Sequence, residues 1–268
     1  MTVALVILGV FVVAGALAPW LAPFDPRAQP DLLAMRSQPP SWTHPFGTDP
    51  FSRDVFSRVM HGARVSLSVA LLAALLSVTV GAAWGAIAGA AGGVVDTIMM
   101  RIVDAALAVP RVLVLLLVVA LWGTLGVPSL ILLLGLTGWF GTSRIIRAEV
   151  LVARERAFVH AAHALGATRA RVLWHHVAPH VVAPLLVAAT LGVAHTIVLE
   201  AGLSFIGVGL APPSPSWGTI LADGLADIRG LWWLSVFPGA AIVATVLAVN
   251  VVADGLRESM DPRQLPPR

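Results

Sequence analysis

The chain has 268 residues, of which 58% are hydrophobic and only 12% charged, with a mean hydropathy of +0.89, which excludes an ordinary soluble domain and points to an integral membrane protein. The net charge is +3, and all 17 basic residues are arginines set in short stretches between apolar runs without interleaved aromatics, so a nucleic-acid partner is excluded. Cysteine and lysine are both absent, which removes disulfides, thiolate metal sites, Schiff-base chemistry and the phosphate-binding lysine of a P-loop, so an ATPase driving this protein has to be a separate chain.

The first apolar run, Val3 to about Leu21, is long enough for a helix to cross a hydrocarbon core, which takes about 20 residues. Ala16-Leu17-Ala18 resembles a signal-peptide cleavage site, but the charged start of such peptides is missing, so a retained span is expected over residues 1–22. Residues 23–65 form a polar, extracytoplasmic connector rich in Pro, Asp and Arg. Within it Phe51, Val55, Phe56, Val59 and Met60 make one face and Arg53, Asp54, Ser57, Arg58 and His61 the other. That pattern predicts an amphipathic helix along the membrane surface or across the bundle, and fits equally a helix that only leads into the next span.

A second span is expected from about Ser66 to Gly92. It contains Gly81, Gly85 and Gly89, and small residues let helix backbones approach in lipid, so it belongs at the centre of the packing. A third span covers about Ile98 to Leu121, kinked at Pro110. It carries Asp104 and Arg111, and charge at that depth faces protein interior or water; for Asp104 a pathway role and a pairing with a neighbouring arginine both fit. After a turn from Gly123 to Val127, a fourth span runs from about Pro128 to Ile146.

The apolar pattern is then interrupted from Val150 to His180. Arg144, Arg147, Arg154, Arg156, Arg169 and Arg171 lie in or just before this stretch, while Val152, Phe158, Val159, Ala162 and Leu165 recur at helical spacing. Gly166 breaks the pattern, Thr168 is placed to cap a second helix, and Pro179 is expected to stop it. The expected product is a compact helix-turn-helix at a membrane face, either an ordinary interfacial pair or a docking knob whose small side chains Ala161, Ala162 and Ala164 admit a close-fitting partner. His160, His163, His175, His176 and His180 also fall here, but no HExxH sequence or nearby carboxylate supports a metal pair, and none is expected.

A fifth span, about Val182 to Val208, contains His195 and Glu200; the carboxylate either lines a pathway or hydrogen-bonds to a neighbouring helix. Prolines make Ala211 to Trp233 a non-spanning connector, with Trp217, Trp232 and Trp233 as expected interface anchors. A sixth span, about Leu234 to Val252, precedes a cytoplasmic tail over 256–268. With the N-terminus inside, the inner segments hold ten arginines (Arg101, the six of the central loop, Arg257, Arg263 and Arg268) and the outer segments six, which predicts a cytoplasmic central loop and cytoplasmic termini.

Ala161-Ala162, Gly166 and Val177-Ala178-Pro179 together resemble the EAA loop of permease subunits of bacterial ABC importers, the cytoplasmic loop that docks into the ATPase, with His160 where the family usually has Glu and Ala178 where it has Leu. The stretch from His44 to Leu67, HPFGTDPFSRDVFSRVMHGARVSL, is similar to one in oligopeptide, dipeptide and nickel permeases, with Ser52 replacing a usual glycine. Further matches are Met100 to Pro110, Leu199 to Gly207, the APPSPSWGTIL run from Ala211, and the ending Asp254-Gly255-Leu256-Arg257 with Asp261-Pro262-Arg263. The resemblance runs from about Leu21 to Arg263, and against the family's longer basic start the N-terminus looks short.

The resemblance implies an all-α membrane protein of the type I ABC importer permease type. It implies six transmembrane helices, a permease core over 66–255 and a helix-turn-helix coupling loop at about 147–180. It implies a subunit of the bacterial cytoplasmic membrane that moves di- or oligopeptides by alternating access, with nickel or glutathione as alternative cargo. Its implied partners are a second similar permease, two cytoplasmic ABC ATPase subunits or domains that bind ATP and magnesium, an extracytoplasmic substrate-binding protein and the lipid bilayer. This chain would hold no cofactor and perform no covalent chemistry. His160, Ala161, Ala162, Gly166, Ala167 and Pro179 are the implied docking residues, and Asp104 and Glu200 the candidate pathway or intramembrane polar groups. An ATP-independent secondary transporter is the rival class; it would carry coupling carboxylates or broken helices at the midplane, whereas these spans hold few acids.

Overall fold

The computed structural model describes residues 1–260, and within them the side chains of all but His163, Arg169, Ala170 and Ala226. All regular structure among the described residues is helical. Among the described residues five helices are long and apolar enough to cross a membrane, or six if one bent pair counts as a single span.

Helix α1 (Thr2–Leu21) carries no charged residue and buries only Ala4, Gly15 and Ala18, the signature of a helix whose surroundings are lipid. Helix α2 (Val55–Ala91) is continuous over 37 residues. Of the two expectations, this is the helix that leads straight into the next span rather than a separate surface helix, and its polar face is not solvated. Arg53, Asp54, Ser57 and Arg58 are all buried, and their polar atoms are paired with Asp49, Asp223, His44 and one another, except Arg58 Nε, which has no partner among the described residues.

The third span is broken rather than kinked. Helices α3 (Gly93–Leu107) and α4 (Arg111–Trp122) meet at 74° across Ala108-Val109-Pro110. Proline removes a donor and disfavours helical geometry in the residue before it, and Pro110 then supplies the carbonyl that accepts the N–H of Leu113 at the start of α4. Helix α5 (Val127–Arg154) runs past the expected end at Ile146. Helices α6 (Ala157–Ala164) and α7 (Arg169–Val172) follow, then a π-helical turn (Leu173–Val177) that leads directly into α8 (Ala178–Phe205).

Pro179 therefore does not stop a helix, contrary to expectation: it lies in the first turn of α8. The π turn there, in which Ala178 donates to the Leu173 carbonyl, widens the backbone where a proline ring would otherwise crowd the preceding turn. Helix α9 (Trp217–Asp223), capped by Ser216 with Thr219 in a reciprocal pair, and α10 (Trp233–Ser259) complete the described fold. The expected ending Asp261-Pro262-Arg263 and Arg268 lie outside the described residues.

The chain forms two compact units. The first comprises Met1–Leu72, Val118–Ile131 and Val193–Val252; the second comprises Ala73–Leu117, Leu132–Gly192 and the described residues from Ala253 on. In the first, Val55, Val59, Ile197, Trp217, Ile220 and Leu234 form the core. Trp217 is fully buried, donating its indole N–H to the Val59 carbonyl (3.1 Å), and Trp233 donates to the Thr48 carbonyl (3.0 Å). Of the three expected interface anchors only Trp232 is exposed; the other two are core residues whose one polar atom has found a backbone partner.

In the same unit, Asp49 and Asp223 hold Arg53 and Arg58 between them. Arg53 donates to Asp49 (2.6 Å) and to Asp223 (2.9 Å), and Arg58 to Asp223 (2.6 Å) and to Asp49. This lattice joins the Asp49 turn, the start of α2 and the end of α9. The second unit is organised where α2 meets α5. A Cβ on Gly85 would overlap the Ser143 carbonyl and the Arg147 amide, so only glycine lets these two backbones come so close. Beside that contact Arg147 forms a two-point ion pair with Asp96 (2.5 and 2.6 Å).

Candidate docking loop and intramembrane polar groups

The loop begins at an anchored helix end. Arg154, the last residue of α5, donates to the carbonyls of Gly89 (2.6 Å) and Ala90 (3.4 Å), among the last carbonyls of α2 that lack intrahelical partners. From there the chain builds a small core of its own: Val159, Val172 and Val177 are buried with Ile146, Val150 and Ala153. Their spacing turns the other faces of α6 and the π turn outward.

The turn after α6 is closed as the sequence predicts. Gly166 has φ +84°, and the N–H of Ala167 bonds back to the Ala162 carbonyl (3.0 Å), the six-residue closure of a Schellman motif. Thr168 then caps α7, its hydroxyl accepting the Arg171 N–H at 3.3 Å. His160, Ala161, Ala164 and Gly166 are exposed on the outer side, with Ala162 and Ala167 half-buried beneath them.

Six of the sequence-derived site residues thus divide. His160, Ala161, Ala162, Gly166 and Ala167 share one knob, while Pro179 lies beyond the π turn in α8. The Nε2 of His160 is 4.0 Å from Glu155 Oε2 with both side chains largely exposed, a contact of little energetic weight. His180 turns away from any shared ligand set: its Nδ1 donates to the His176 carbonyl (2.9 Å) and its ring stacks on Phe158 at 5.0 Å.

Two features of the knob were not legible beforehand. Leu165, at its tip, is 88% exposed and Trp174, on the π turn, is 71% exposed. Helical spacing assigns Leu165 to the inner face of α6, but α6 ends at Ala164 and the turn swings the next residue outward. The π turn has no sequence signature beyond the proline that follows it.

The intramembrane polar residues behave differently from one another. Asp104 is exposed, with Arg144 the nearest cation at 3.7 Å, a loose pair. Glu200 is fully buried: Ser66 donates to Oε2 (3.0 Å), Ser204 to Oε1 (2.9 Å), and the Ser66 hydroxyl itself accepts the Trp217 N–H (3.2 Å). The carboxylate therefore joins α2, α8 and α9 by hydrogen bonds. Arg111, at the start of α4, donates to the Leu134 carbonyl (2.6 Å) and the Thr137 hydroxyl (3.2 Å), satisfying part of its charge with α5.

Residues 81–265 match the sequence profile of the binding-protein-dependent transport system inner membrane component, and residues 2–40 that of the N-terminal transmembrane domain of oligopeptide transport permease C. The chain is 42% identical over 263 residues to a protein of Brucella suis biovar 1 named as a peptide transport system permease, covering 97% of this chain and 87% of the relative. It is 43% identical over 254 residues to the dipeptide transport system permease protein DppC of Escherichia coli, covering 92% and 83%. A profile that spans the broken helix, the docking loop and α8, with relatives aligned over nearly the whole chain, assigns this multi-pass membrane protein to the family of binding-protein-dependent transport system inner membrane components.

Proposed function

We propose that the chain is a permease subunit of an ATP-driven importer that carries di- or oligopeptides across the bacterial cytoplasmic membrane. The observation that carries this is the knob at residues 155–177. It packs a valine core against α5 and has a closed Schellman turn, yet it exposes Leu165 and Trp174. Such a body transmits a push from a partner without deforming. The names of the relatives support peptides as cargo, and the two-profile match supports the permease C type.

In this mechanism two ATPase subunits grip the knob on the cytoplasmic side, with both chain termini on that side, and a second similar permease completes the pathway. A binding protein delivers substrate from outside. ATP and magnesium are bound by the ATPases, whose closure moves the knob and re-packs the spans between inward- and outward-open arrangements. The substrate pathway is then lined by groups other than Glu200, which is enclosed with its two serine donors.

The test is peptide uptake in proteoliposomes holding the purified transporter. Uptake is expected only with ATP and the binding protein present. Gly166→Val, which forces a β-branched residue into a left-handed conformation at a cost of about 1–3 kcal/mol, is expected to lower it at least tenfold while the protein remains in the membrane. Uptake at the wild-type rate by that variant, or uptake without ATP, contradicts the proposal.

A further inference from the structure

A cavity of about 630 Å³ in the first unit lies at the end of α1, where Pro19, Ala22, Asp25 and Arg27 meet His61 and Arg64 of α2. Its size is in the usual range for a small ligand, about 300–1,000 Å³. Its depth in the membrane follows from α1. That helix shows most of its apolar surface outward, and its last turn ends in Trp20, 78% exposed, and Leu21, 56% exposed, before the chain turns polar. Tryptophan at the end of a span marks the level of the lipid headgroups, so the cavity opens at that level beside a lipid-facing helix.

Its charges are unspent. Arg53 and Arg58, close by on the chain, are held by Asp49 and Asp223, but the guanidinium groups of Arg27 and Arg64 have no ion pair or hydrogen bond among the described residues. Two guanidinium forks offer donors in the geometry that phosphate oxygens accept.

The same cavity also offers acceptors. Asp25 uses one carboxylate oxygen on the Arg27 N–H (2.8 Å), which leaves the other. The Nδ1 of His61 lies 2.9 Å from the Ser57 carbonyl; a carbonyl only accepts, so in the neutral form Nδ1 carries the proton and Nε2 is left with a lone pair. Two cations and two acceptors around one space match a ligand bearing both a phosphate and a protonated amine.

We propose that this cavity binds the headgroup of an aminophospholipid. Its phosphate lies between Arg27 and Arg64, its ammonium at the Asp25 carboxylate and His61 Nε2, and its acyl chains along the outward flank of α1, where Val13, Leu17 and Leu21 are exposed. A peptide also carries both charges, but it has no use for that apolar flank, and lipid is the species always present at this depth.

Native mass spectrometry of the transporter, purified through this chain in mild detergent with its co-purifying subunits, tests the proposal. The probes are short-chain phosphatidylethanolamine, phosphatidylcholine and phosphatidylglycerol, with inorganic phosphate and tri-alanine as competitors. Wild type is expected to retain one phosphatidylethanolamine in preference to the other two lipids. Arg27→Gln with Arg64→Gln is expected to weaken its retention about tenfold or more, with the lipid-free melting temperature unchanged, because neither side chain holds the fold. Arg27→Gln alone, on an exposed segment, gives the same test at smaller amplitude if the pair does not purify. Equal retention by wild type and variant overturns the proposal. Displacement of the lipid by tri-alanine assigns the cavity to peptide instead, and displacement by inorganic phosphate reduces it to a site for a free anion.

Discussion

Glu200 shows how a residue singled out by position alone acquires its meaning from its neighbours. A carboxylate in an apolar run reads as a pathway group or, by preference, as a hydrogen-bonded strut; in the structure it accepts from two serines and has zero exposure, as a strut does. Glu200→Ala is expected to lower stability by about 1–3 kcal/mol, two interhelical bonds at the worth such bonds have in membranes plus the volume lost, read as a lower melting temperature in detergent. Glu200→Gln, which keeps the shape and both partners with one serine hydroxyl turned to accept from the amide, is expected to retain peptide uptake within about threefold. Abolished uptake by a normally folded Gln variant would return the residue to the pathway. Asp49 is the sharper case, since its removal leaves Arg58 buried without one of its two partners. Asp49→Ala is expected to cost about 3–5 kcal/mol and to appear as loss of folded protein on extraction.

At the scale of elements, the spans were legible because each is a run of apolar residues long enough for lipid, and the turn after α6 was legible because Gly166 is placed to end one helix and Thr168 to cap the next. What was not legible depended on partners distant in sequence. The polar face at the start of α2 looked solvated because nothing near it in the chain reveals Asp223, more than 160 residues on, and Trp217 looked like an interface anchor because its carbonyl partner is on another helix. Pro179 looked like a stop because a π turn leaves no mark in composition. Gly85 is the element-scale prediction: Gly85→Leu would force α2 and α5 apart in the second unit, pulling on the Asp96–Arg147 pair, and is expected to remove transport and reduce the melting temperature by several degrees. A variant that melts and transports like wild type would show that this close approach is dispensable.

At the scale of the whole molecule, the described residues combine helices with lipid-facing apolar surface, buried polar lattices that join helix to helix within a unit, and a knob between α5 and α8. The knob carries the proposed coupling, and the absence of cysteine from the chain makes it directly addressable. The most direct measurement is therefore covalent: Leu165→Cys, the single thiol of this chain, is treated in native membranes with a short thiol-to-amine cross-linker, and the adduct is identified by mass spectrometry. A cross-link to a subunit bearing a P-loop, with a yield that changes on adding ATP, is the predicted result. A knob that forms no adduct with any ATPase, in membranes where the same variant still takes up peptide, would contradict the account.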